Sequence, residues 1–206
     1  MNRDTGLRLA AVAIAVTAWT AEVLFVAEQV GDGGALGAVL IDTTAFLTDW
    51  TATAVAITCS IMALRGIGAV PPFWRAAAAM GTVTVGILFA GIGGLEVVFM
   101  QGTSSVLAHL AVPVAMGLFW LALPRGGLRW PQAAALAGLM VLYLAVMFVR
   151  GAASGFYPYP FMDAGAIGYG PSLAFAGVMV ATALAVALAL VGIDRWRAQS
   201  PTGVDE

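Results

Sequence analysis

Long hydrophobic stretches, separated by short links that contain polar residues, glycine or proline, run along the whole chain. A helix that crosses the hydrocarbon core of a bilayer needs about 20 apolar residues, and six stretches reach about that length. They are residues 6–28, 45–64, 76–100, 104–123, 131–150 and 171–192. The pattern predicts six transmembrane helices, spans 1 to 6 in chain order. The links leave no room for another module, so residues 1–206 are expected to form a single all-α membrane domain.

Composition supports the same class of protein. The 206-residue chain is 61% hydrophobic and 10% charged, whereas a soluble domain carries about 25% charged residues, and its mean hydropathy is +0.95. Span 1 begins near Arg3 and Arg8 and resembles a secretory signal, but it is too long and no clean cleavage site follows it, so we expect a retained helix. Cys59 is the sole cysteine, which excludes a disulfide within the chain.

The arginines are distributed unequally between the two ends of the predicted spans. If the spans alternate in direction, all of them except Arg150, at the end of span 5, fall on one side. The arginines on that side are Arg3, Arg8, Arg65, Arg75, Arg125, Arg129, Arg195 and Arg197. The positive-inside rule makes this side cytoplasmic. Because an even number of spans returns the chain to the side where it began, both termini are predicted to be cytoplasmic.

Several side chains that are uncommon in membrane helices fall at one predicted depth. With alternating spans and a rise of 1.5 Å per residue, they lie within roughly 10 Å of the outer interface. They are Glu22, Thr48, Asp49, Glu96 and His109. The inner half is predicted to carry no ionisable side chain, and small residues such as Gly86, Gly91, Gly93 and Gly94 would let span 3 approach its neighbours closely. This asymmetry favours a pocket open to the outer leaflet over a transporter, whose sites lie near the midplane; the alternative is that the charges simply reach into the headgroups.

A histidine and several threonines supply candidate chemistry. His109 is the sole histidine and can act as a general base near neutral pH. Thr44, Thr48 and Thr51 would share one face at the start of span 2, and a Thr that meets a His across spans 2 and 4 would form a minimal acyl-transfer pair. The alternatives are a structural histidine and threonines that bond their own backbone. No nucleotide-binding loop, metal cluster or basic nucleic-acid patch is present in the sequence, so no cofactor, metal or nucleic acid is expected, although a site of His109 with Glu22, Asp49 and Glu96 stays open as an alternative.

Three sequence elements resemble one family. The segment Arg150-Gly-Ala-Ala-Ser-Gly-Phe-Tyr-Pro-Tyr-Pro-Phe-Met-Asp163, His109 with Pro113, and Phe46-Leu47-Thr48 are similar to elements of the androgen-induced gene product family of six-helix membrane proteins and its bacterial branch. Bacterial relatives commonly have a Ser-Asn pair shortly after the Thr, where this chain has Thr51-Ala52.

The resemblance implies a function and two catalytic residues. Characterised animal members are threonine hydrolases that cleave fatty acid esters of hydroxy fatty acids, with one Thr and one His required. Carried over, Thr48 is the nucleophile and His109 the base. A carboxylate would orient the imidazole: Glu96 ranks first, ahead of Glu22, whereas Asp49 follows Thr48 directly and points about 100° away around the helix.

The outer link between spans 5 and 6 supplies the remaining candidates. Arg150 is expected to bind a substrate carboxylate, or else to pair with Asp163 or a lipid phosphate. Residues 156–161, with Tyr157 and Tyr159, are rich in proline and are expected to cap the pocket. Trp50, Tyr157 and Tyr159 are alternative donors to an oxyanion. The sequence therefore predicts a cell-membrane lipid-ester hydrolase that acts on fatty-acyl esters among membrane lipids; the alternative is a non-catalytic lipid-binding or carrier protein.

Overall fold

The computed structural model describes residues 2–199, and six of its helices are long and apolar enough to cross a membrane. They are span 1, Arg3–Gly31; span 2, Leu47–Arg65; span 3, Pro72–Met100; span 4, Thr103–Ala122; span 5, Trp130–Ser154; and span 6, Tyr169–Gln199. No strand occurs among the described residues. The predicted all-α architecture with six spans is confirmed, and four spans are longer than predicted.

Local sequence explains several helix ends. Span 3 begins with Pro72, whose missing N–H and fixed φ suit the first position of a helix. Span 5 ends at Ser154 and is followed by Gly155, which adopts the left-handed conformation with φ 75° and donates its N–H to the Gly151 carbonyl. Span 3 contains a break at Gly94, where φ is 75° and ψ is 162°. The last turns of that span therefore do not continue the helical phase of Pro72–Gly93.

The link between spans 1 and 2 differs from the prediction. Residues 29–44 fall between the predicted spans 1 and 2, but span 1 continues to Gly31 and a short helix, Leu36–Thr43, follows. Thr44 caps this short helix, and span 2 begins afresh at Leu47. The predicted face shared by Thr44, Thr48 and Thr51 is therefore wrong, because Thr44 lies outside the helix of the other two.

Span 3 is the central helix of the bundle and packs against spans 2, 4, 5 and 6. Gly86 permits one close approach, since a Cβ there would lie 3.0 Å from Pro113 Cβ and 3.2 Å from the His109 carbonyl oxygen. The other three glycines named from the sequence serve no such packing. A Cβ at Gly91 would meet nothing within 4 Å, one at Gly93 would meet only Val97 of its own span, and Gly94 forms the break.

The helix ends that carry arginines lie together at one end of the bundle, where hydrogen bonds connect them. Arg3 at the start of span 1 donates to the Ala122 carbonyl at the end of span 4 (3.4 Å), and Arg125 donates to the Arg197 carbonyl at the end of span 6 (2.9 Å). Asp194 is buried at the same end and accepts hydrogen bonds from the N–H groups of Gly126 and Leu128, both at 3.0 Å. The prediction that this half holds no ionisable side chain is therefore wrong, because span 6 extends past residue 192.

Candidate functional site

A cavity of about 590 Å³ lies at the opposite end of the bundle, between spans 1, 2 and 4, the short helix Leu36–Thr43 and the link that follows span 5. We call it the outer chamber, after the side that the arginine distribution predicts for this end. Its polar lining comes from each of these elements. The chamber is lined by Glu22, Glu28, Asp42, Thr48, Asp49, Gln101, Ser104, Ser105, His109 and Tyr159, together with aromatic rings that include Phe25, Phe46, Phe89 and Phe156. Four of the five side chains predicted to share one depth therefore line one cavity, and Glu96 is the exception.

Thr48 and His109 meet at this cavity. The Thr48 Oγ1 lies 3.2 Å from His109 Nε2, which is within hydrogen-bond distance. Thr48 is the second residue of span 2 and His109 lies in the first half of span 4, so 61 residues separate them in the chain. Both side chains are only partly buried, and both are accessible from the chamber.

The surroundings of Thr48 explain why its hydroxyl reaches a side chain rather than its own backbone. Threonines in helices usually donate to the carbonyl three or four residues earlier, as Thr17 and Thr182 do. For Thr48 these are the carbonyls of Thr44 and Ala45. They already accept from Trp50 Nε1 (2.7 Å) and from the Tyr143 hydroxyl (2.8 Å). The Thr48 hydroxyl is thereby left to His109.

The contacts of His109 determine which ring nitrogen carries the proton. Nδ1 lies 3.1 Å from the Ser105 carbonyl oxygen and 3.2 Å from the Ser105 hydroxyl. Because a carbonyl oxygen can only accept, the Nδ1 contact with it requires a proton on Nδ1. In the neutral ring Nε2 is then unprotonated and accepts from Thr48. This is the tautomer that a general base toward Thr48 needs.

Packing also fixes the plane of the imidazole. The Phe89 ring of span 3 stacks on the His109 ring with centroids 3.7 Å apart and an interplanar angle of 27°. Span 4 has a π-helical segment, Leu107–Ala111, in which the Val112 N–H donates to the Leu107 carbonyl. Such wide turns occur frequently at functional sites. The segment ends just before Pro113, whose contact with Gly86 holds spans 3 and 4 together beside the histidine.

Tyr159 connects the outer link to the start of span 2. Its hydroxyl accepts a hydrogen bond from the Leu47 N–H at 3.1 Å, and its ring packs on Phe46 with centroids 5.9 Å apart. The phenol therefore bonds the residue that directly precedes Thr48, and Tyr159 and Thr48 line the same cavity. Trp50 is another predicted oxyanion donor, but its indole N–H donates to the Thr44 carbonyl. Tyr159 is therefore the best placed of the three predicted donors.

Tyr157, the third predicted donor, faces away from the chamber. Its ring lies over Gly151, where a Cβ would come within 2.2 Å of the Tyr157 Cε1, and packs edge-on against Phe148. Phe156 and Tyr159 of the same link do line the chamber. The segment 156–161 thus borders the chamber as predicted, but its two tyrosines have different roles.

The carboxylates are arranged differently from the predicted triad. Glu22 and Asp49 line the chamber, whereas Glu96 is exposed and does not. Because Glu96 follows the break at Gly94, its direction could not be inferred by continuing the helix. The Nδ1 atom of His109, which a carboxylate would contact in a triad, contacts the Ser105 carbonyl oxygen instead. The ranking of Glu96 as the partner of His109 is therefore not supported by the geometry.

Arg150 and Asp163 do not pair with each other. Arg150 lies 3.8 Å from Asp42, donates to Thr44 Oγ1 at 3.1 Å and stands over the Phe156 ring. Asp163 caps the short helix Ala164–Ile167 by accepting from two backbone N–H groups. The alternative that joined Arg150 to Asp163 is wrong, since each side chain has another protein partner.

Sequence reasoning missed Phe89, Ser105 and Glu28 as parts of the site. Ser105 lies four residues before His109, the spacing that places two side chains on one helix face, so its contact with Nδ1 was accessible from the sequence. Glu28 fell at the predicted end of span 1, yet it accepts a hydrogen bond from the Ser104 hydroxyl inside the chamber. Phe89 carried no local signal, because phenylalanine is ordinary in a membrane helix.

Comparison of the chain with protein-family models, with curated proteins and with solved structures found no match. Residues 2–199 contain no group of three or more His, Cys, Asp or Glu side chains arranged to hold a metal ion.

Proposed function

We propose that this protein is an intramembrane hydrolase of acyl esters, with Thr48 as the nucleophile and His109 as the general base. The observation that carries the proposal is the 3.2 Å contact between Thr48 Oγ1 and His109 Nε2, together with the Ser105 carbonyl on the opposite ring nitrogen. A hydroxyl, a base and a group that orients the base are the parts that activate a weak nucleophile. The resemblance noted in the sequence assigns the same two residues to these roles.

The reaction would proceed through an acyl-enzyme. Thr48 Oγ1 attacks the ester carbonyl carbon while His109 Nε2 takes its proton, and His109 then donates that proton to the departing alkoxide oxygen as the ester C–O bond breaks. Water next attacks the acyl-threonine with His109 as its base. The carboxylic acid leaves, and the Thr48 hydroxyl recovers its proton.

Two features near Thr48 suit the negative charge that develops on the carbonyl oxygen. Thr48 lies in the first turn of span 2, where backbone N–H groups have no partner within the helix, and aligned N–H groups stabilise oxyanions. Tyr159 lies beside them, and burial raises the pKa of its phenol. The phenol therefore remains protonated near neutral pH and can donate a hydrogen bond.

The placement of the chamber fits a substrate that resides in a membrane. It lies within a bundle of six apolar helices, and the arginine-rich end of the bundle is the opposite end. By the positive-inside rule, the arginine-rich end and both termini would lie on the cytoplasmic side of a cell membrane. The chamber would then open near the outer leaflet.

Labelling with a fluorophosphonate probe and an ester-hydrolysis assay on the purified protein test this proposal. The wild type is expected to label and to turn over acyl esters, and Thr48→Ala to lose both. Thr182→Ala is a matched control, because the Thr182 hydroxyl donates to its own backbone in span 6. An unlabelled wild type that binds lipid without hydrolysing any ester would instead favour a lipid-binding or carrier protein.

A further inference from the structure

Two cavities of different character meet at Thr48. Besides the outer chamber, a cavity of about 240 Å³ lies between spans 2, 3 and 6, and we call it the tail cavity. Its own lining is apolar. It consists of Val85, Leu88, Ile92, Val97, Phe161 and Met179, with Gly93 and Leu47. Thr48, Phe89, Gln101 and Tyr159 line both cavities. The nucleophile therefore stands at the boundary between a polar space and an apolar one.

The tail cavity suits a hydrocarbon chain. Ile92 lines it and is 57% exposed on the outside of the bundle, so the cavity reaches the surface that lipid tails contact. A larger apolar groove, of about 490 Å³, runs along spans 2, 3 and 5, but Thr48 does not line it. A chain in the tail cavity can place its carbonyl carbon at Thr48, whereas a chain in the larger groove cannot.

The outer chamber suits the other half of an ester, and its acidic lining restricts what that half can be. Four acidic side chains line it: Glu22, Glu28, Asp42 and Asp49. No arginine lines the chamber within residues 2–199, and Arg150 outside it faces Asp42. An anionic group placed there would be partly desolvated without a cationic partner, which is strongly unfavourable.

We infer that the substrate is an acyl ester whose fatty chain occupies the tail cavity and whose alcohol half, neutral or cationic, occupies the outer chamber. This inference rests on the proposed function. The acyl group stays on Thr48 with its chain in the tail cavity, and the alcohol leaves into the chamber with the proton from His109. The structure thus disfavours hydroxy fatty acids with a free carboxylate as the leaving alcohol, which the sequence resemblance implied.

Esters that share one long acyl chain and differ in the charge of the alcohol half test the chamber. Choline, glycerol and hydroxy-acid esters provide cationic, neutral and anionic alcohols. We expect kcat/KM for the first two to exceed that for the anionic ester by at least about tenfold, because the chamber lining within residues 2–199 offers an anion acidic side chains and no arginine. Equal or greater turnover of the anionic ester would overturn the inference.

Removing acidic groups from the chamber should reduce the difference in kcat/KM between the neutral and the anionic ester. The double variant Glu28→Gln, Asp42→Asn removes two acidic groups and also releases Arg150, so kcat/KM for the anionic ester should rise several-fold relative to the neutral ester. Asp32→Asn is the matched control, since Asp32 is exposed and does not line the chamber. An unchanged ratio in the double variant would contradict the assignment of the alcohol half to the chamber.

Chain length tests the tail cavity. Ile92→Trp narrows the cavity from its exposed side, so it should lower kcat/KM for long-chain esters and leave acetyl esters nearly unaffected. Ile87→Trp is the matched control, because Ile87 is 51% exposed on the same span and does not line the tail cavity. Equal effects of the two variants on long chains would overturn this half of the inference. If no ester of any charge or length is hydrolysed, it is the proposed function that fails.

Discussion

The two ends of the bundle use acidic side chains in opposite ways. At the arginine-rich end, both Asp194 oxygens accept backbone N–H groups, and the neighbouring cavity measures only about 10 Å³. At the other end a chamber of about 590 Å³ is lined by four acidic side chains, and the Asp49 Oδ2 is buried without a hydrogen-bond partner among residues 2–199. A carboxyl group whose two oxygens both accept hydrogen bonds in a closed space holds a loop in place, as Asp194 does. The free oxygen of Asp49, beside an open cavity, is instead available to a ligand.

The largest expected effect is on the chemistry of the open end. His109→Ala should lower kcat for ester hydrolysis by roughly 10³-fold, because it removes the proposed general base, while stability changes little at this partly buried position. Added imidazole should restore part of the activity by occupying the vacated space. Activity that survives in His109→Ala, with the protein intact, would show that His109 is not the base.

A substitution at the arginine-rich end should lower the stability of the protein rather than its activity. Asp194→Ala removes two hydrogen bonds to a charged acceptor, each worth about 1.5–3 kcal/mol, and leaves the Gly126 and Leu128 N–H groups without that partner. We expect the free energy of unfolding in detergent to fall by about 3 kcal/mol or more, with kcat of the folded fraction unchanged. Asp194→Asn keeps one acceptor and should lie between. A loss of kcat with full stability would break the contrast between the ends.

Adding one methyl group at Gly86 tests whether the close approach of spans 3 and 4 positions His109. Gly86→Ala places a Cβ against Pro113 and the His109 carbonyl, so span 4 must shift by a few tenths of an ångström. A displacement of this kind should cost about tenfold in kcat, since 1 Å can cost about 10². Gly91→Ala on the same span meets nothing within 4 Å and should behave as wild type. Equal activity of the two variants would mean that this contact does not position His109.

The smallest expected effect concerns Ser105. Ser105→Ala removes the hydroxyl at 3.2 Å from Nδ1 but keeps the carbonyl at 3.1 Å, which is sufficient to hold the proton on Nδ1. We therefore expect kcat to fall by less than about tenfold, in line with the loss of one modest hydrogen bond. A loss as large as that of His109→Ala would assign the orienting role to the hydroxyl rather than the carbonyl.

The sequence by itself determined the six apolar helices, because hydrophobic length is a local property. It also determined that Thr48, His109, Glu22 and Asp49 would fall at one depth, since depth follows from counting residues along straight helices. This counting failed where the backbone departs from a continuous helix. Glu96 follows the break at Gly94 and does not line the chamber, and Thr44 caps the separate short helix rather than lying in span 2.

Only the tertiary structure decided which side chains face one another around the bundle. Rotation about a helix axis is set by packing between spans, and apolar spans in lipid carry little sequence signal for it. The stacking of Phe89 on His109, the approach at Gly86 and the link that brings Tyr159 over Leu47 therefore became visible only in the fold. The same packing separates the apolar tail cavity from the acidic chamber, because it places Thr48 where the two spaces meet.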